Sequence, residues 1–165
     1  MTRFTIAVTL LAIVSATRPA GAGIADTPLP VLDPAETTLH LYSVTGVIEQ
    51  GVLSTYFSCT STDSAGMKVS VEVFGSLGGG PASDAVADTV TVVPGGTVLF
   101  GTRTPSWTVI DKLVAVGVLS RGSARILATS KKLVCTAFLA DAGSAPPTSM
   151  SHLTIIKKTK QKASN

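Results

Sequence analysis

The side chains with the most reactive chemistry in this chain are two cysteines and two histidines, Cys59, Cys135, His40 and His152. Both cysteines lie in apolar, β-prone runs, and two cysteines in a secreted chain usually pair. We therefore predict a Cys59–Cys135 disulfide that ties two strands together across a β-sandwich, with Cα atoms about 5–6 Å apart. The alternative is a redox-active or nucleophilic thiol, which needs a nearby base that an apolar strand does not supply.

The other polar residues form no recognisable catalytic or metal-binding motif. A zinc site needs more ligands at closer spacing than His40 and His152 provide. A Ser-His-Asp triad can be drawn with His152, but no Gly-x-Ser-x-Gly motif positions a serine. Asp63, Asp84 and Asp88 lack the Asp-x-Asp-x-Asp-Gly order of a calcium loop. The sequence thus predicts no catalytic, metal-binding or cofactor-binding residue and no cofactor.

Trp107 is the single tryptophan and our candidate binding residue. Large apolar rings are mostly buried, which favours a plug in the core or at its rim. The alternative is an exposed aromatic at an interface, because the indole ring also carries a polar N–H.

The N-terminus predicts the compartment. Arg3 is followed by an apolar run and then by Ala20-Gly21-Ala22, a small-x-small cleavage site, so residues 1–22 are a predicted signal peptide. A cut after Ala16 and an uncleaved anchor are alternatives, but the run is shorter than the roughly 20 residues that span a bilayer. We expect a secreted protein, periplasmic or extracellular, with no transmembrane segment in the mature chain.

The charge distribution argues against a nucleic-acid partner. The formal net charge is +3, but residues 23–156 carry seven basic and ten acidic side chains. They therefore offer no basic face for a nucleic acid. Four lysines make residues 157–165 a basic tail, predicted to be disordered beyond about Lys158 and removable after Ile156 without loss of thermal stability. The tail is either a solvated end or a tether to an anionic surface.

The body of the chain reads as β-strands. Residues 23–37, with three prolines, predict an extended N-terminal leader, and residues 38–156 a single antiparallel β-sandwich of about eight strands. Two hairpins are expected, one joining 52–60 to 67–74 and one joining 122–129 to the Cys135 strand. Residues 75–84 are predicted as a loop, 107–110 as a short strand, 113–119 as a buried strand or a helix turn, and 152–156 as the last strand.

Apolar and polar residues alternate along Met67–Phe74, which predicts one face towards the core and one towards solvent. The alternation predicts that Lys68, Ser70 and Glu72 face solvent. Arg125, inside an apolar strand, either faces solvent too or pairs with an acid such as Glu72 or Asp111. The predicted core comprises Phe57, Val69, Val71, Val73, Val98, Ile126, Phe138 and Leu139.

Three segments carry a resemblance: Gly122-Ser-Ala-Arg-Ile-Leu-Ala-Thr, Leu133-Val-Cys-Thr-Ala and Pro146-Pro-Thr-Ser-Met. With the lysine-rich tail they resemble a group of small secreted bacterial proteins with a two-cysteine β-sandwich. The overall plan is similar to immunoglobulin-like sandwiches, whose second and sixth strands share a disulfide, although Trp107 is not on the strand after Cys59. The resemblance implies no activity and no site residue.

These observations predict a secreted, non-catalytic module rather than an enzyme. It would bind a protein, a glycan or a cell-surface partner through its loops or a sheet face. The alternative is a small secreted hydrolase, which requires His152, an acid and a serine within hydrogen-bond distance of one another.

Overall fold

The computed structural model describes residues 27–76 and 82–158, which form eleven strands and no helix. The strands are β1 (Leu39–Gln50), β2 (Leu53–Ser61), β3 (Met67–Ser76), β4 (Ala82–Val86), β5 (Val90–Val92), β6 (Thr97–Gly101), β7 (Lys112–Leu113), β8 (Leu119–Ala128), β9 (Leu133–Asp141), β10 (Met150–His152) and β11 (Ile155–Lys157). The count exceeds the predicted eight partly because β4 forms where a loop was expected, and because the predicted last strand is two short strands.

All pairings are antiparallel except the short parallel pair β6–β7. The main hydrogen-bonded order is β10-β9-β2-β1-β8-β3-β4. We call β1, β3, β4, β5, β8 and β11 the first half of this sheet, and β2, β6, β7, β9 and β10 the second half. One cluster of buried side chains draws on strands of both halves, which therefore pack on each other. The all-β antiparallel fold with one disulfide is confirmed.

Neither predicted hairpin forms. β3 pairs with β8 rather than with β2, and β9 pairs with β2 rather than with β8. The connections 62–66 and 129–132 instead cross between the halves side by side, and Thr62 N donates to Lys132 O at 2.8 Å. Their short polar residues favour a chain reversal, but a reversal can join two sheet regions as well as two neighbouring strands.

The β3 alternation predicts the core correctly but not the outer face. Val69, Val71 and Val73 are buried as predicted, as are Phe57, Val98 and Ile126. However, Ser70 and Glu72 are only 0% and 1% exposed, and Lys68 is half-buried. The predicted solvent exposure is therefore wrong. Ser70 Oγ donates to Ala87 O at 2.8 Å, and residues 27–38, which we call the N-terminal strap, pack on this face where Arg125 pairs with Glu72.

Arg125 is the residue that holds the strap. Its Nε contacts the Glu72 carboxylate, and its Nη1 and Nη2 donate to the carbonyls of Thr27 and Pro28, both at 2.8 Å. The guanidinium carbon also lies 5.1 Å from the centroid of the Phe74 ring. Of the two alternatives for Arg125, the structure thus selects the ion pair with Glu72.

The apolar run 113–119 is neither a buried strand nor a helix turn. Leu113 is 49% and Val118 72% exposed, whereas Val114 is buried. The run follows the sheet edge, where β7 pairs only with β6, so few of its side chains reach the core. Residues 107–110 do not form the predicted strand either.

The C-terminal segment passes from one half to the other, since β10 pairs with β9 and β11 pairs with β1. Lys157 lies opposite Tyr42 in this ladder, and Lys158 N donates to Leu41 O at 2.8 Å. Lys157 therefore belongs to a strand rather than to a tail. The predicted signal peptide and the predicted disorder beyond Lys158 concern residues outside those described.

Candidate functional site

The predicted disulfide is present, but its place in the fold differs from the prediction. Cys59 and Cys135 are bonded and lie opposite each other on the neighbouring strands β2 and β9, with Cα atoms 4.1 Å apart. The bond therefore lies within the second half and does not cross between the halves. Directly opposite residues in antiparallel strands approach to about 4.5 Å, which explains why the Cα separation is shorter than the predicted range.

The register around the disulfide defines an open surface on the second half. Cys59 and Ala137 point into the core, so the residues that alternate with them point outward. We call the open part of this surface the Ser/Thr face; it consists of Ser58, Thr60, Thr97, Leu99, Val134 and Thr136. Four of its six side chains therefore carry a hydroxyl group.

The Ser/Thr face is uncovered and uncharged. Thr97 and Thr136 are exposed, Val134 is 59% exposed, and the hydroxyls of Thr60 and Thr97 lie 2.8 Å apart in a hydrogen bond. At the edge of β6, the Asp111 carboxylate accepts a hydrogen bond from Leu99 N at 2.7 Å. On the corresponding face of the first half, Arg125 binds Thr27 and Pro28 of the strap. Among residues 27–76 and 82–158, the face of the second half is therefore the more exposed of the two.

Three aromatic rings border one end of the Ser/Thr face. Tyr56 and Phe138 lie opposite each other on β2 and β9, with ring centroids 5.6 Å apart. Trp107 packs edge-on against Tyr56 at 5.2 Å and lies 6.3 Å from Phe138. Tyr56 is buried, whereas Trp107 and Phe138 are half-buried. Trp107 is thus a rim residue that keeps part of its ring accessible.

Two predicted core residues, Phe138 and Leu139, are only half-buried. Phe138 points outward into this aromatic cluster because it has the opposite parity to Ala137 in β9. Leu139 points inward but is only half-buried, and it lines a depression of about 250 Å³ with Leu53 and Met150 near the end of the sheet.

The loop that carries Trp107 is fixed at two points. At its start, Arg103 pairs with Glu49 at 2.5 Å and donates to Gly51 O at 2.6 Å. Further along, Trp107 Nε1 donates to Asp141 O at 2.8 Å. These contacts hold the ring in place before any partner arrives, which lowers the entropy cost of binding.

Asp141 in turn organises the loop that follows β9. Its carboxylate accepts hydrogen bonds from Thr148 Oγ1 at 2.6 Å, Gly143 N at 2.8 Å and Ser144 Oγ at 2.8 Å. These bonds, that of Thr148 above all, lower the pKa of Asp141 to about 2. The carboxylate therefore stays ionised at neutral pH and keeps the main chain that accepts the Trp107 N–H in place.

Gly101 makes room for the aromatic cluster. It lies opposite Tyr56 on β6, and a Cβ atom at this position would come within 2.9 Å of two Tyr56 ring carbons. Real Cβ atoms do not approach so closely, so only glycine lets the ring lie flat over β6.

Neither histidine is hydrogen-bonded to an acid among the described residues. His152 is exposed opposite Phe138, and in the described part of the chain no hydrogen bond joins it to an acid or a serine. His40 Nε2 lies 3.1 Å from Tyr42 O and 3.0 Å from Ser43 Oγ, again without an acid. Burial, followed by the charge of Lys158, lowers the pKa of His40 to about 4.

No group of three potential metal ligands is found among residues 27–76 and 82–158. Of the acids considered for calcium, Asp63 accepts hydrogen bonds from Ser130 and Lys132, and Asp88 forms an ion pair with Lys112 at 3.4 Å.

The sequence pointed to Trp107 but not to Tyr56 or to the outward orientation of Phe138. The missing information was the register. If the two cysteines are placed directly opposite each other on antiparallel strands, Tyr56 three residues before Cys59 must face Phe138 three residues after Cys135. If the cysteines are instead assigned to strands on opposite sides of a sandwich, Tyr56 is not expected to lie opposite Phe138.

The described residues contain no helix long and apolar enough to cross a membrane. Comparisons with protein-family models, with curated proteins and with solved structures found no match to this chain.

Proposed function

We propose that the protein is a secreted, non-catalytic module that binds an extracellular or cell-surface partner through the Ser/Thr face, with Trp107 as the central contact. One observation carries this proposal: among the described residues, the strap packs on the outer face of the first half through Arg125, whereas Thr97, Val134 and Thr136 on the second half are exposed near a half-buried tryptophan. Tryptophan is among the residues that most often contribute a large share of the binding energy at an interface.

A secreted location is supported by the signal-like residues 1–22 and by the disulfide, because disulfides persist in oxidising compartments. The compartment is then periplasmic or extracellular. The kinship with small secreted bacterial proteins and the immunoglobulin-like plan belong to the same proposal.

A binding role is favoured over hydrolysis by the chemistry of the face. It offers hydroxyl groups and aromatic rings, which recognise ligands, and within residues 27–76 and 82–158 no acid or serine is hydrogen-bonded to the exposed His152.

The proposal is tested by measuring how tightly the labelled, secreted protein binds to the surface of the cells that produce it. Trp107→Ala should weaken binding about 30-fold or more, as expected for a central aromatic contact. Val109→Ala is the matched control, because Val109 is two residues away and 87% exposed.

A second pair of variants tests the face without removing a packed side chain. Thr136→Lys places a long charged side chain on the Ser/Thr face and should also weaken binding, whereas Ser120→Lys, at an exposed position of β8, should not. Binding by Trp107→Ala and Thr136→Lys equal to that of the unmodified protein would overturn the proposal.

A further inference from the structure

We infer that the partner of the Ser/Thr face is a neutral glycan that lies across Ser58 and Thr136 and packs against the rings of Trp107 and Phe138. This inference rests on the proposed function and names the chemical class of its ligand.

The hydrogen-bonding capacity of the face matches a glycan. Ser58 and Thr136 lie directly opposite each other on β2 and β9, and Thr60 and Thr97 lie opposite each other on β2 and β6. Each hydroxyl both donates and accepts hydrogen bonds. Sugar hydroxyls have the same double capacity, so a glycan can satisfy such a surface without supplying a charge.

The aromatic border supplies the second contact. A half-exposed ring presents a face of negative potential. The C–H groups of a sugar ring are polarised by their oxygens, and they pack favourably on such a face. The indole of Trp107 is held by its bond to Asp141 O and by Tyr56, so it needs no rearrangement to provide this surface.

The absence of charge selects the kind of glycan. None of the six side chains of the Ser/Thr face is acidic or basic. Arg103, in the loop of Trp107, is already paired with Glu49. An anionic polysaccharide or a nucleic acid would find no cation on this face to offset its desolvation, whereas a neutral glycan matches the uncharged surface.

A protein partner fits the surface less well. Serine is depleted at protein interfaces, and their binding energy is concentrated in pockets filled by apolar anchors. The depression near the face does not serve this purpose, because Leu53 and Leu139 in its lining point to the side of the strands opposite to Ser58 and Thr136.

The first test is affinity electrophoresis of the secreted protein through native gels that contain soluble neutral polysaccharides, namely a β-glucan, a xylan and a mannan, with alginate as the anionic comparison. At least one neutral polysaccharide should retard the protein, and alginate should not. Thr136→Val keeps the shape of the side chain but removes its hydroxyl, so it should weaken glycan binding about 2- to 10-fold. An apolar protein partner would bind this variant equally well or more tightly.

The second test uses the producing cells and does not require that the glycan be known. Periodate, which cleaves the vicinal diols of sugars, should abolish binding of the protein to the cells, and protease treatment of the cells should not. Binding that depends on Trp107 but is lost with protease and survives periodate would overturn the glycan while leaving the proposed function intact. Binding unchanged in both Trp107→Ala and Thr136→Lys would overturn the glycan and the proposed function together.

Discussion

Glu72 and Arg125 face each other on β3 and β8 and form an ion pair whose side chains are only 1% and 2% exposed. The pair lies under the N-terminal strap, and Arg125 also binds the carbonyls of Thr27 and Pro28. Burying two charges is costly, and here each charge is compensated by its partner and by hydrogen bonds. The Arg125 guanidinium therefore couples the strap to the sheet.

Breaking this pair should destabilise the protein strongly. Arg125→Met leaves the Glu72 carboxylate buried without its cation and should lower the free energy of unfolding by about 3–5 kcal/mol. The double variant Arg125→Met, Glu72→Leu should recover most of this loss, because a buried apolar pair has no uncompensated charge. Urea denaturation measures both. In the single variant, amide hydrogen exchange should also accelerate in the strap. A loss below about 1 kcal/mol, typical of exposed pairs, would contradict the buried arrangement.

The Glu72–Arg125 pair also shows what alternation in the sequence can predict. The pattern of Val69, Val71 and Val73 identifies one inner face, and these residues are buried. The pattern says nothing about what covers the other face. The strap comes from a distant, proline-rich part of the chain, and Ser70 is bonded to Ala87, which follows β4. The burial of Ser70 and Glu72 could therefore not be predicted from β3 itself.

The site was predictable only in part for a similar reason. Trp107 stands out as a single large ring with a polar N–H, but its position depends on Gly101, Tyr56 and Asp141, which come from three other segments. The hairpin predictions failed because local turn chemistry does not specify which strands pair. The prediction of a buried strand or helix turn at 113–119 failed because an apolar sequence does not reveal that the segment lies along a sheet edge.

Asp63 links the connections 62–66 and 129–132 through its bonds with Ser130 and Lys132. This link should make the stability of the protein depend on pH in the acidic range. The Ser130 hydroxyl, followed by Lys132, lowers the pKa of Asp63 from 3.8 to about 2. Because the folded state favours the ionised carboxyl, this stabilisation is present above about pH 4 and is lost as the pH falls towards 2.

Asp63→Asn should therefore lower stability at neutral pH and flatten the pH profile between 4 and 2. The pKa of Asp141 is lowered in the same way, so its contribution to stability also changes between pH 4 and 2, and the flattening should be partial. Thermal denaturation across this range measures the effect. Asp88→Asn is the control, because its exposed ion pair contributes little and the slope should stay unchanged. An unchanged slope in Asp63→Asn would refute the assignment.

Gly101→Ala should disturb both the aromatic cluster and the main chain at Arg103, whose O atom would lie 2.9 Å from the new Cβ. The new methyl group would lie within 2.9 Å of the Tyr56 ring and force that ring away from β6. We expect a loss of about 1–3 kcal/mol, as for other overpacked sites, together with weaker binding through Trp107. Gly66→Ala is the matched control, since its nearest contact would be an ordinary 3.7 Å. Equal stability and equal binding in the two variants would show that Gly101 does not position Tyr56.

The C-terminal strand makes the effect of truncation depend on where the chain is cut. Truncation after Lys158 should leave the melting temperature unchanged. Truncation after Ile156 removes Lys157 from opposite Tyr42 and deletes the Lys158 N–H bond to Leu41 O, so it should lower the melting temperature. Calorimetry of the two truncated proteins decides this. Identical melting temperatures would mean that Lys157 and Lys158 contribute nothing to the sheet edge.

The most direct test of the binding face uses Trp107 itself, because it is the only tryptophan and reports on the proposed site without a label. Acrylamide quenching of its fluorescence is measured while a soluble polysaccharide extract of the producing cells is added. If the partner covers the Ser/Thr face, quenching should fall and the emission should move to shorter wavelength, with the same concentration dependence as binding measured independently. Saturable binding that leaves both the quenching and the emission of Trp107 unchanged would contradict the account.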